Sequence, residues 1–513
     1  MINKLFNKIK KSFCGKDIVI IGKAKTMDFI DSSLLKSFFV VNVNDSETIF
    51  SGDLCIVSKQ SAAQNILKIG PKCSFYAGKH NYGFPSFYSF EDNLDVDENI
   101  GSQSDFLNEF LGESFRYDFG SLLSTIKVIN CLSKKCNYSP KVYLLGFDLS
   151  SESGYSQKAI SNDLEGGELY LDKSVKKDEF LFKQLLKNRE KLSMQLLHVG
   201  NNSFSLMTPK TFNFMASMIS IQKPKKLETS YAGANPSANR VEIVAEITTN
   251  HFGDINRLTS MIYAAKSAGA DFVKFQKRNV ETFYSKEQLK STYISPFGET
   301  FEDYRKGIEL NEDEFKVIDS VCRKIGIKWF ASILDIQSFN FIMKFNPEII
   351  KLPSTISLKK DFIEEVAMNY DGDIVVSMGF TDAKYEEFIL NKFSKNKKLY
   401  LLQCTSSYPT KPEDVNIGVI NRYQRLAESF KNVIPGFSSH DIGNIASIMS
   451  VAAGARMIEK HVKIGDNSWA HFDDVALDLI RGDLDIFIES IRNAEKIYGV
   501  EDKFILDSEH HKY

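Results

Sequence analysis

Eight hydrophobic runs in the second half of the chain each end in polar residues, and this repeated pattern restricts the fold more than any other feature. In order they are VEIVAEIT (Val241–Thr248), DFVKFQ (Asp271–Gln276), KWFASIL (Lys328–Leu334), IIKLPS (Ile349–Ser354), IVVSMG (Ile374–Gly379), YLLQCTSSY (Tyr400–Tyr408), NVIPGFSSH (Asn432–His440) and MIEKHV (Met457–Val462). Their polar members are Glu246, Lys274, Ser332, Lys351, Ser377, Thr405, Ser438, His440 and His461. Near-continuous apolar strands alternating with helix-patterned segments call for a parallel sheet covered on both faces. Eight such units predict an α/β fold of the (β/α)8 TIM-barrel type, whose active site lies at the carboxyl ends of its strands. The polar residues fall at those ends, so this half reads as an enzyme.

At 513 residues the chain exceeds one core, and two or more domains are expected. The segment QKPKKLETSYAGANPSANR (residues 222–240) is polar, rich in Pro, Ala, Ser and Lys, and lacks hydrophobic periodicity. It reads as a linker between a domain at 1–221 and the barrel at 241–513. A net charge of −2 argues against a nucleic-acid binder acting through bulk electrostatics. The seven cysteines are odd in number and scattered, which predicts buried thiols in a reducing cytoplasm rather than a disulfide framework. Cys131 and Cys136 have no second pair at zinc spacing. No apolar run is long enough to span a bilayer. In the opening sixteen residues, Ile2, Leu5, Phe6, Ile9 and Phe13 share one helical face opposite several lysines. Two readings follow: weak contact with an anionic membrane surface, or a helix docked on its own domain.

The first domain shows a second α/β pattern: DIVIIG, FFVVNVN, DLCIVSK, CSFYAG, KVYLLGFDLS and MQLLHVG, with helical stretches at Phe119–Cys136 and Ser174–Leu192. An open Rossmann-like sheet is expected. After its first strand comes GKAKTMD rather than G-x-G-x-x-G. Asn42, Asn44 and Asp148 fall at strand ends where a nucleotide could sit. The order of strand–Gly–turn, VNVN and LLGFD resembles bacterial sialyltransferase-like glycosyltransferases. The histidine base those transferases use has no counterpart in Gly166–Glu179. The domain therefore reads either as a sugar-nucleotide-binding or inactive transferase-like unit, or as a structural or oligomerisation unit.

At the barrel mouth, Lys274 and Lys351 end the second and fourth strands. A lysine there is costly to bury alone, and an anionic ligand offsets that cost. With Ser332, Ser354, Ser377 and Ser438 ending four strands, the set makes a phosphate cradle. Three of the eight histidines, His251, His440 and His461, lie at the ends of the first, seventh and eighth strands, with His471 just beyond. The seventh and eighth strands are neighbours in a barrel, so His440 and His461 can converge on one divalent cation whose shell water and substrate complete. Glu246 can orient a hydroxyl or water, or pair with Lys274.

The motifs AEITTNHFGD, VKFQKRN, SPFG with YRKGIEL, IKLPS, VVSMG, LLQCTSSYP, GFSSHDIG and GARMIEKHV, in this order from about Val241 to Gly499, resemble the sialic acid synthase family. The resemblance implies condensation of phosphoenolpyruvate with an N-acetylated hexosamine to a nine-carbon 2-keto acid, with loss of phosphate. By position it implies that His440 and His461 bind a divalent cation, manganese or magnesium. Lys274, Lys351, Ser332, Ser354, Ser377, Ser406 and Ser438 would hold phosphoenolpyruvate. Glu246, Tyr408 and Asp473 would contact the sugar or its reacting end. A cytoplasmic homodimer serving surface-glycan assembly is the expected setting.

Several positions depart from the family pattern. The acid two places after the serine of the fourth-strand motif is replaced by Ile356; Ser406 stands where Asn is usual; Ser439 rather than Asp precedes His440. SWAHFDDVALD replaces the common PGPD motif, leaving Asp473 and Asp474 as alternatives, and the family's antifreeze-like domain is expected to be absent. The acceptor could be N-acetylmannosamine or a di-N-acetylated deoxyhexose. A related condensation with a sugar phosphate needs a second basic cluster, which the sequence does not display. The alternative from another class is a catalytically impaired, sugar-binding barrel.

Overall fold

In this computed structural model the chain divides into two compact units, Met1–Lys226 and Leu227–Tyr513. The residues described are 2–89, 103–112, 119–149, 156–157, 167–220, 240–465, 474–500, 503–506 and 509. The segment read as a linker lies outside them except for Arg240, as do Asp473 and His471.

The first unit is built on seven short strands: β1 (Ile18–Ile21), β2 (Phe39–Val43), β3 (Leu54–Val57), β4 (Phe75–Gly78), β5 (Phe87–Ser89), β6 (Lys141–Leu145) and β7 (Gln195–His198). Strands β1 to β3 are buried at every position, so they read as near-continuous apolar runs, broken only by Asn42, rather than as alternation. All seven pair in parallel, in the order β5-β4-β3-β2-β1-β6-β7. The expected helices form at Ser121–Ser133 and Gly167–Lys187. The residues singled out at the strand ends fix their own loops. Asp148 accepts from the Thr26 amide and hydroxyl, Asn42 bridges Gly52 and Phe50, and Asn44 accepts from Ser58 and donates to Ser121.

Two expectations for this unit need correction or resolution. Helix Ile2–Phe13 buries Leu5, Phe6, Ile9 and Phe13 in the unit's own core, so the apolar face is spent on the protein and only the lysine face is left to solvent. Of the two readings, docking on its own domain is the one the structure shows. Cys14 and Cys136 form a disulfide across 122 residues, where the odd cysteine count had suggested thiols alone. Connectivity depends on proximity in the fold and cannot be read from spacing. The other five cysteines are buried thiols.

The second unit closes as an eight-stranded parallel barrel of β8 (Glu242–Thr248), β9 (Phe272–Lys277), β12 (Lys328–Ile333), β13 (Ile349–Leu352), β14 (Asp373–Ser377), β15 (Leu399–Gln403), β16 (Val433–Ser439) and β17 (Met457–Lys463). The circle is completed by parallel pairing of β17 with both β16 and β8. A small hairpin, β10 (Thr292–Ser295) and β11 (Gly298–Thr300), grows from the loop after β9, and β18 (Leu477–Asp478) extends β17. Both are too short to leave a hydrophobic period. Helices start on side-chain caps: Asp254 accepts from Asn256 N, Asn311 from Asp313 N and Glu314 N, and Asp335 from Ser338 N.

Inside the barrel Val244, Phe272, Phe330, Ile349, Val375, Tyr400, Leu402 and Met457 form an apolar plug. Side chains on one strand face repeat every two residues. Two places further along stand Glu246, Lys274, Ser332, Lys351, Ser377 and Glu459, and Ser438 lies two beyond Gly436. The apolar plug therefore sets the floor on which the polar layer rests.

Candidate active site

The centre of that layer is a buried four-charge cluster. Lys274 and Lys351 are each 2% exposed, and Glu246 and Glu459 are 6% and 1% exposed. Lys274 Nζ contacts Glu246 Oε1 and lies 3.2 Å from Glu459 Oε1; Lys351 Nζ contacts the same Glu459 oxygen. Ser438 Oγ donates to it at 2.9 Å, and Thr248 Oγ1 donates to Glu246 Oε1 at 2.6 Å. Burial alone would raise the Glu246 carboxyl, but the Lys274 and Lys351 ammonium groups outweigh it and hold it well below the usual carboxylate range. Burial lowers Lys274 despite both carboxylates, whereas at Lys351 the field of Glu459 and Glu246 prevails and raises it. Two acids and two bases thus neutralise one another. An ammonium has three donors, so each lysine can keep its carboxylate and still reach a ligand oxygen.

Beside this cluster His440 and His461 face each other with ring centroids 5.7 Å apart. His440 Nδ1 lies 2.8 Å from the Thr405 carbonyl, which can only accept, so the proton sits on Nδ1 and Nε2 carries the lone pair. Near that Nε2 are Tyr408 OH at 3.4 Å and Ser438 Oγ at 3.5 Å. His461 Nε2 lies 3.6 Å from Glu246 Oε2. Burial keeps both imidazoles uncharged, and at His461 the neighbouring His440 and Lys274 push the same way. Two neutral, oriented imidazoles suit a divalent cation as part of a shell. Among the described residues no group of three His, Cys, Asp or Glu side chains is assembled to hold an ion.

The hydroxyl ring is assembled in part by contacts and in part by burial. Ser406 Oγ donates to Ser354 Oγ at 2.9 Å. A Cβ on Gly379 would come within 2.5 Å of Ser406 Oγ and 2.8 Å of Cys404 Sγ, so glycine keeps this corner open. Ser377 and Ser332 are buried, and Ser332 Oγ has no hydrogen-bond partner. A hydroxyl so placed can donate to a ligand oxygen. His251 does not join the site: it is buried in its own loop, where Nδ1 accepts from Gly253 N. Asp474 is described and exposed. Glu459 is the residue sequence reading passed over. The EKH motif puts it on the face of His461, but only the structure shows it holding both lysines.

The NeuB family model matches residues 261–503. The mouse N-acetylneuraminate-9-phosphate synthase is 33% identical over 271 residues, which are 52% of this chain and 74% of that protein. The chain belongs to the NeuB family. The N,N'-diacetyllegionaminic acid synthase of Legionella pneumophila is 29% identical over 276 residues, covering 52% of this chain and 76% of that one. A crystal structure of an N-acetylneuraminic acid synthetase from Leptospira borgpetersenii, in complex with citrate, is 26% identical with a TM-score of 0.46. It covers 53% of this chain and 89% of that chain. Ile356, where the resemblance implies an acid, closes the short turn Ser354–Ile356 and is fully buried.

Proposed function

We propose that the barrel condenses phosphoenolpyruvate with the open-chain aldehyde of an N-acetylated hexosamine, giving a nonulosonic acid and inorganic phosphate. The observation that carries this reading is the convergence of Lys274 and Lys351, with the unpartnered Ser332 hydroxyl, on the mouth beside two uncharged imidazoles. Membership of the NeuB family supports it, and relatives of this chain are named as N-acetylneuraminate-9-phosphate, legionaminic and pseudaminic acid synthases.

In this reading Lys274, Lys351, Ser332, Ser377 and Ser438 hold the phosphate and carboxylate of phosphoenolpyruvate, and the Ser354–Ser406 corner closes round it. Carbon 3 forms the new bond to the aldehyde carbon, whose oxygen takes up a proton. Water adds to the electron-poor carbon 2 and gives up a proton. The resulting tetrahedral carbon then expels phosphate and becomes the ketone. The lysines stabilise the charge that gathers on the phosphate as it leaves. Glu246, ionised and fixed by Thr248, orients the attacking water or a sugar hydroxyl, and Tyr408 lines the sugar side. Asp473, outside the described residues, is assigned there by resemblance only. His440 and His461 would hold a divalent cation, manganese or magnesium, which as a Lewis acid polarises a carbonyl oxygen.

Ile356 supports a second reading, a barrel that binds the sugar without turnover. Phosphate release from phosphoenolpyruvate, measured with manganese and a panel of N-acetylated hexosamines, separates the two. Release that depends on the acceptor and is lost in His440→Ala is expected. Absence of release with every acceptor, from folded and metal-loaded protein, would favour the binding barrel.

A further inference from the structure

Helix Ile2–Phe13 of the first unit has a solvent face that no part of the proposed chemistry uses. Its apolar residues Leu5, Phe6, Ile9 and Phe13 are buried in that unit's core. At 3.6 residues per turn, Lys4, Lys8 and Lys11 then share one ridge directly opposite the buried face, with Lys10 on its flank. All four are exposed, as are Asn3 and Asn7 between them. The helix holds no acidic residue.

The fold brings further lysines to the same corner. Cys14, which follows the helix, is bonded to Cys136, and Lys134 and Lys135 immediately precede that partner. Lys134 is exposed and donates to the Leu111 carbonyl, while Lys135 and Lys16 are half-buried. Among the described residues, ion pairs within the first unit are Lys23 with Asp45 and Lys183 with Glu179, so none of these seven lysines is paired. Asp17, the first carboxylate after the helix, accepts instead from Tyr138 OH and Lys141 N. The whole chain carries a net charge of −2, so the positive charge here is a local concentration and not a bulk property. Its chemistry selects a partner. Residues 2–16 contain lysine but no arginine, and the helix exposes no aromatic ring. Lysine is a compact, strongly hydrated point charge without the fork that fits one phosphate or carboxylate. Base stacking and bidentate backbone contacts, on which nucleic-acid binding draws, are therefore missing. A planar sheet of negative headgroups needs neither, and clusters of about four to eight basic residues on a helix suit it.

We propose that this corner of the first unit docks on an anionic phospholipid surface by charge alone, without inserting into it. An interfacial helix would bury its apolar face in lipid; here that face stays in the protein core, and the lysine ridge on the opposite side meets the headgroups. Attraction acting within a Debye length supplies the affinity, so the contact is reversible and salt-dependent. The proposal is independent of the condensation reading of the barrel.

The test is co-sedimentation of the full chain with vesicles. It should pellet with phosphatidylcholine vesicles containing about 30% phosphatidylglycerol and stay in solution with phosphatidylcholine alone. Raising the salt from about 0.05 M to about 0.5 M should release it. The triple variant Lys4→Gln, Lys8→Gln, Lys11→Gln should weaken the partition by at least about tenfold and leave Tm in place, because the ridge faces solvent. Arginine at the same three positions keeps the charge and should keep the binding. Lys324→Gln, Lys397→Gln and Lys431→Gln, exposed on the second unit, change the net charge equally and should have no effect. Equal pelleting with the two kinds of vesicle, or an equal loss in both glutamine triples, would overturn the proposal. Retention at the higher salt would do the same, since it would mean apolar insertion. Binding to duplex DNA in preference to the anionic vesicles, lost in the same triple, would give the ridge to nucleic acid instead.

Discussion

At the scale of single residues, Glu459 is the one on which the site's ligand-free form depends. Its Oε1 accepts from Lys274, Lys351 and Ser438, and its side chain is inaccessible to water. Glu459→Gln would leave two buried ammonium groups facing Glu246 alone. Breaking a buried ion pair from one side costs about 3–5 kcal/mol, and an incoming phosphate dianion would restore part of it. The variant should therefore unfold at lower temperature than the unaltered chain without ligand, and gain more in Tm from saturating phosphoenolpyruvate. Equal ligand-induced gains in the two proteins would show that Glu459 does not balance the phosphate-binding lysines. The lysines, serines and paired histidines were legible as polar residues in or at the end of otherwise apolar runs. Glu459 was not, because a carboxylate between Met457 and His461 reads equally well as a strand-face ion pair.

At the scale of elements, legibility followed length and burial. Barrel strands buried on both sides are largely apolar runs, so all eight show in the sequence; β5, the β10–β11 hairpin and β18 are too short to leave a period. What a strand end does with a polar residue is less visible, as β7 illustrates. His198 closes this strand, with Nε2 2.7 Å from the Phe147 carbonyl and Nδ1 2.8 Å from Ser205 Oγ. The carbonyl fixes Nε2–H as the donor, and Ser205, which accepts from Asn202 N, donates to Nδ1. Protonation at Nδ1 would place a charge in a site that is 1% exposed. Burial accordingly lowers the His198 pKa from 6.5 to about 4. The unfolded chain takes up this proton first, so the contribution to stability is complete above about pH 6.5 and is lost as pH falls toward 4. The loss amounts to about 3 kcal/mol for a shift of this size. Urea unfolding of the first unit between pH 8 and 4 should show this slope, and His198→Asn should flatten it. A slope that survives the substitution would assign the acid sensitivity to another group.

At the scale of the molecule, the two units draw their stability from different sources. The first holds a disulfide that closes 122 residues, and the hydrogen bonds described around its strand ends lie within residues 17–205. A covalent closure of that length stabilises by about 2–5 kcal/mol, chiefly by restricting the unfolded chain. The four-charge cluster and the histidine pair of the second unit come from residues 246–461, and each of their contacts is made within that span. A ligand bound there stabilises in proportion to the logarithm of its concentration over Kd. Calorimetry of the full chain should therefore resolve two transitions. Reductant should lower one and leave the other in place, while phosphoenolpyruvate with manganese should raise the other and leave the first. A single transition that moves with both would mean that the units unfold as one. The disulfide in the first unit would then support the chemistry in the second, and Cys136→Ser should weaken phosphoenolpyruvate binding as well as stability.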